Sequence, residues 1–174
     1  MKKVLAALLL STSLAHADNV GGYDAGTPFI PVLTTTSHTS GQSLGGLQTV
    51  SVFRQTGVPS HIFDNIQITS IGGATTSLTF YVYDTKPTGT CKDGVAFVEA
   101  NSDIPLRAMA PFVLTPAVVG VGTTSATAQL TQVVSIRNGD QPATPNIYIC
   151  IVGGGTATPA SVSDLVGKIS AAQD

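Results

Sequence analysis

Gly41-Gln42-Ser43-Leu44-Gly45 has the G-x-S-x-G spacing of a serine nucleophile elbow. That chemistry needs the serine on a tight turn between a strand and a helix, followed by an acid and a histidine. Here a polar loop precedes Ser43 and a strand-like run follows it. His61 is the only later histidine, and no acid lies between the two. The motif therefore reads as a Gly/Ser loop, with a hydrolase as the weakest alternative. His61 and Asp64 could form an acid–base pair, but no nucleophile is placed beside them. Glu99 is the only glutamate; a glycosidase would need it to face a second carboxylate such as Asp84 or Asp103 across a cleft. No catalytic residue is assigned, and an enzyme is not expected.

Two binding chemistries are open. Asp84, Asp93 and Asp103 flank the turn-rich stretch after "LTFYVYD" and are candidate calcium ligands, since calcium takes several oxygens in extracellular β domains. They show no acidic ladder of fixed spacing, so turn aspartates are the plainer reading, and no metal or other cofactor is expected. Tyr81 and Tyr83 share one strand face, and Tyr148 is expected opposite. Such tyrosines could hold a sugar, or could simply pack on a half-exposed sheet. The two cysteines, Cys91 and Cys150, are expected to pair. The bond would close a loop of about 60 residues and stabilise the fold by roughly 3 to 4 kcal/mol on the chain-entropy model.

Short alternating strands must position these residues. Leu78 to Asp84 is the clearest, with Leu78, Phe80 and Val82 on one face and Thr79, Tyr81 and Tyr83 on the other. Asn146 to Val152 alternates in the same way around Ile147, Ile149 and Ile151. Further strands are expected at 29–33, 48–53, 62–70, 95–99, 112–114, 118–121 and 165–169, the last with a short helix as the alternative. Asp64 interrupts the alternation of Ile62, Ile66 and Ile68. A long run at 125–136 shifts parity near Val133-Val134, which implies a bulge. Many short strands with turns between them, and no long helical pattern, predict an all-β antiparallel sandwich of jelly-roll type.

The chain has 174 residues, one domain's worth, and only 10% of them are charged. Lys2-Lys3, the apolar Val4 to Leu10 and Ala15-His16-Ala17 read as a secretory signal over 1–17, too short to span a bilayer. Residues 18–27 are Gly-rich and read as a flexible arm, and 28–174 as the sandwich. Removing Lys2 and Lys3 from eight basic residues leaves six against ten acidic ones, a formal charge of −4. The six are scattered, so nucleic-acid binding is not expected. The expected location is exported, periplasmic or extracellular, with no transmembrane segment.

Several pieces, in order, resemble small jelly-roll virion-associated proteins of tailed bacteriophages. "TSGQSLGG" resembles the polar stretch before their first core strand. "LTFYVYDTKPT" resembles a strand closing on an aliphatic-Tyr-Asp/Ala-x-x-Pro-Thr turn, and "DGVAF" the D-x-x-A-F that follows. "NIYICIVGGGTATPAS" resembles a late strand and its T-P-A-S loop, and "KISAAQD" the final strand. The resemblance spans about 28–174. It implies a β-sandwich with a structural or surface role, possible particle association, and self-association or contact with other structural proteins. A carbohydrate-binding module that meets a surface glycan is the alternative. The signal sequence departs from the family, whose members assemble in the cytoplasm.

Overall fold

The computed structural model describes residues 24–51, 60–71, 76–120, 123–135 and 146–173. Nine strands form: β1 (Asp24–Phe29), β2 (Gln48–Ser51), β3 (Ser60–Ser70), β4 (Leu78–Tyr83), β5 (Phe112–Leu114), β6 (Ala117–Gly120), β7 (Thr123–Ser135), β8 (Asn146–Gly153) and β9 (Leu165–Gln173). The only described helix is one 3-10 turn, Ile104–Leu106. The strands build a five-stranded sheet, β1-β9-β3-β7-β6, and a four-stranded sheet, β2-β8-β4-β5.

All pairs are antiparallel, and they nest. β4 pairs with β5, β3 with β7, β2 with β8 and β1 with β9. A long hairpin rolled on itself produces this nesting, with β6 added beside β7. The fold is an all-β sandwich of the jelly-roll type.

Alternation decides which side chains meet between the sheets. β4 contributes Leu78, Phe80 and Val82, and β8 contributes Ile147, Ile149 and Ile151. Across from them lie Ile66 and Ile68 of β3, and Leu165 and Ile169 of β9. Phe80 stacks on Phe112 at 5.2 Å between ring centroids. The Phe29 ring occupies the space a Cβ would need at Gly167, its register partner, so β1 and β9 close tightly there.

Three expectations shift. β1 starts at Asp24, inside the segment read as an arm, and Phe29 is its last residue rather than the first of a strand. Pro28 is tolerated because β1 is an edge strand. Residues 1–17 and 18–23 lie outside the described residues. Residues 95–99 make isolated bridges at Ala96 and Val98 instead of a strand. The irregularity in β7 falls between Gln129 and Gln132, opposite Asp64, rather than at Val133-Val134. Asp64 is also where β3 slips against β9, so the break in the Ile62–Ile68 alternation marks a real bulge.

Candidate functional site: the crossing loop and its fasteners

Successive side chains on a strand point to opposite faces, so Tyr81 and Tyr83 of β4, and Tyr148, Cys150 and Val152 of β8, face away from the intersheet core. Yet Cys150 is fully buried and Val152 is buried. The segment between β4 and β5, residues 84–111, covers them. It leaves and re-enters beside β4, with Asp84 N–H donating to Leu106 O and Ala108 N–H to Val82 O. Its middle folds on itself where Thr90 and Val98 exchange both backbone hydrogen bonds. Its far side reaches residues 41–44, which run between it and the end of β8. Ser43 N–H donates to Val95 O, Phe97 N–H to Gly41 O, and Leu44 N–H to Ile151 O.

Three polar devices and one covalent bond hold this layer. Cys91 is bonded to Cys150, 59 residues away, as the sequence led one to expect. Asp93 accepts hydrogen bonds from Thr34 N–H and Gly45 N–H, both at 2.7 Å, and from His38 Nε2 at 3.0 Å. Burial pushes the Asp93 carboxyl up, but the bonds from Gly45, Thr34 and His38 outweigh it and hold it below its ordinary value. His38 is 1% exposed, and its Nδ1 has no hydrogen-bond partner among the described residues. Asp103 is fully buried and accepts from Thr88 N–H and Oγ1–H at 2.9 Å and from Gly89 N–H at 2.6 Å. Here too burial raises the carboxyl, and the donors of Thr88, Gly89 and Ala100 more than reverse it.

Glu99 is paired with Arg107 through both carboxylate oxygens. It also accepts the Tyr83 hydroxyl at 2.8 Å. The Arg107 pair lowers the Glu99 carboxyl against the opposing effect of burial, and Tyr83 lowers it further. Burial, then the neighbouring Glu99, drives the Tyr83 phenol upward, so the hydroxyl stays protonated and donating. Arg107 lies 5.6 Å over the Tyr81 ring, which also packs on Phe97 at 4.4 Å. A further buried carboxylate lies elsewhere. Asp164 accepts from Ser70 Oγ–H and Ala160 N–H, both at 2.8 Å, and fixes the loop before β9.

The sequence-derived candidates can now be placed. Tyr81, Tyr83 and Tyr148 do share one sheet face, with Tyr83 and Tyr148 directly opposite in register. The crossing loop lies over that face: Tyr83 is 1% exposed, and Tyr81 is half-buried under Phe97 and Arg107. Asp84, Asp93 and Asp103 are not brought together. Asp93 and Asp103 are spent on backbone N–H groups, and no three His, Cys, Asp or Glu side chains converge among the described residues. Ser43 is fully buried between β8 and the crossing loop, with its hydroxyl 3.7 Å from Cys150 Sγ. The side chains of His61 and Asp64 lie outside the described residues.

Reasoning from sequence missed His38, Arg107 and Gly45. The available signal for Gly45 was its place in "LGG". Its φ is +78°, and a Cβ there would overlap Pro31. Gly45→Ala is expected to cost about 1–2 kcal/mol from the left-handed backbone alone, plus whatever Pro31 must move. Thermal unfolding should show a fall of several degrees, and an unchanged midpoint would refute this role.

No family model matches the chain, and no curated protein matches it. Among solved structures, it is similar to a chain of the particle described as "Israeli acute paralysis virus heated to 63 degree - full particle". The TM-score is 0.30 and the identity 10%, over 99% of this chain and 74% of that chain. The jelly-roll assignment rests on the strand order itself.

Proposed function

We propose that this protein is a non-enzymatic, exported structural or surface-interaction domain. It works through its shape, as a phage-type jelly-roll particle subunit does. One observation carries this reading: among the described residues, most of the side chains best able to do chemistry are used as fasteners. The Cys91–Cys150 bond and Glu99, through Tyr83, tie the crossing loop to the four-stranded sheet, Asp93 ties it to Thr34, His38 and Gly45, and Asp103 and the Glu99–Arg107 pair brace the loop against itself. The disulfide suits an oxidising compartment. Among the described residues no helix is long and apolar enough to cross a membrane. Both are compatible with export. The carbohydrate-binding alternative needs tyrosines open to solvent, and the burial of Tyr83 weighs against it.

The test is a native culture separated into cell envelope, soluble secretome and high-speed particle pellet, with mass spectrometry of the mature N-terminus. Enrichment in the pellet with a start at Asp18 is the expected result. A soluble protein that is retained on a glycan array, and loses retention in Tyr81→Ala, would replace the structural reading with the sugar-binding one.

A further inference from the structure

Most of the exposed large aliphatic side chains gather in one place. Phe29 of β1 pairs with Gly167 of β9, so the chain leaving β1 runs past the chain entering β9, and Leu33 N–H donates to Val162 O. Ser70 of β3 pairs with both Leu165 and Thr124, and Ile71 N–H donates to Asp164 O. Thr124 in turn pairs with Val118 of β6. Backbone register therefore sets Ile30, Val32, Val162, Ile71, Val118 and Val119 along a single rim of the five-stranded sheet. Each of the six is between 53% and 71% exposed.

This rim carries no exposed charge of its own. The described residues that leave and enter strands at this end, 30–47, 71, 76–77, 115–120 and 154–164, contain one charged side chain, Asp164. It is 2% exposed and accepts from Ser70 and Ala160. Asp93 reaches the 30–47 segment from the crossing loop, on the side of the four-stranded sheet, and is bonded to Thr34, Gly45 and His38. Scattered exposed aliphatics need no explanation, but a contiguous row of six marks an interaction site.

We propose that this rim is where one copy of the chain meets a second copy. The inference rests on the structural reading above and names its contact surface. Charge argues for the second copy. The chain is net acidic, at −2 over its full length. Two copies repel through most of their surface, and an uncharged rim lets them approach with no like charges opposed. An uncharged rim also cannot select an acidic or basic partner, whereas it matches itself in an isologous contact. A membrane surface fits less well, since interfacial segments use Lys, Arg, Trp or Tyr, and the rim segments contain none of these. Covering six half-exposed aliphatics on each of two copies removes on the order of 1,000 Å² from water, the lower bound for a specific interface.

The test uses the oxidised protein as its host processes it, followed by sedimentation across concentration. Wild type is expected to self-associate. The triple variant Val32→Glu, Val119→Glu, Val162→Glu is expected to stay monomeric with an intact disulfide and an unchanged melting temperature. Should the triple variant misfold, Val162→Glu alone is expected to weaken association about tenfold or more, because it opposes charges across the contact. Self-association that is unchanged in folded variants overturns the rim contact and leaves the structural reading standing. A wild-type monomer that is still found in the particle pellet does the same. A wild-type monomer that co-sediments with phosphatidylcholine vesicles, and loses this in the rim variants, overturns it in favour of a lipid surface.

Discussion

Removing the Cys91–Cys150 bond, by Cys91→Ala with Cys150→Ala, is expected to lower stability by about 4 kcal/mol, the chain-entropy value for a closed loop of about 60 residues. For a chain of this length that corresponds to roughly 8–16 °C in melting temperature. The place of the loss is as informative as its size. Ile149 and Ile151 point into the intersheet core, and Cys150 between them points out, under the crossing loop. Cutting the bond therefore frees the loop before it opens the sandwich. Hydrogen exchange should speed up first at the Thr90–Val98 amides and at Ser43, whose N–H donates to Val95. The β3–β9 ladder should exchange at its former rate until the whole protein unfolds. A melting temperature unmoved by the double substitution would mean that the polar fasteners alone hold the loop.

The sandwich itself was legible because its central strands obey a local rule. Leu78–Tyr83 and Asn146–Gly153 alternate cleanly, and alternation is what burial between two sheets demands. The cysteine pair was legible for a chemical reason, since a chain read as exported, with two thiols, is expected to join them. Residues 95–99 misled because alternation there serves a loop pinned by bridges, and only the partner at 41–44 decides that. β1 was hidden because its strand conformation comes from β9, about 140 residues later in the chain. The tyrosine face was read correctly as a face. That a loop would cover it depends on Asp93, Asp103 and Glu99 finding donors 14 to 59 residues distant, or at Arg107, and spacing alone carries no such information.

That layer explains how a domain of low charge can place so many ionisable groups against one sheet. Each carboxylate in it accepts several hydrogen bonds, so burial is offset by donors rather than by exposure. The consequence is a dependence on acid. Asp93, Glu99 and Asp103 are all held below their ordinary values. A carboxyl whose folded pKa is depressed adds stability above its unfolded pKa and loses it as pH falls through the folded one. The layer should therefore be at full strength above about pH 5 and weaken from about pH 4 downward.

Asp103→Ala isolates the most deeply buried of these groups. The substitution leaves Thr88 N–H, Thr88 Oγ1–H and Gly89 N–H without the buried carboxylate that accepts from them. Losing hydrogen bonds to a charged acceptor, with part-buried donors left behind, costs about 1–3 kcal/mol, less than losing the disulfide. A Cβ at Gly89 would crowd Val98 O and the Asp103 carboxylate, so the backbone here is built around that side chain and cannot easily collapse onto the gap. Asp103→Asn separates charge from shape: it keeps one acceptor oxygen and adds an amide N–H₂ that faces donors. It is expected to lose about half as much near pH 7, and its stability should fall less steeply below pH 4 than that of wild type. If Asp103→Asn instead kept the full acid slope, the acid dependence would belong to Asp93 and Glu99, and Asp103 would be a neutral hydrogen-bond acceptor in the fold. Chemical denaturation midpoints measured from pH 7 to pH 2.5 on both variants decide between these outcomes.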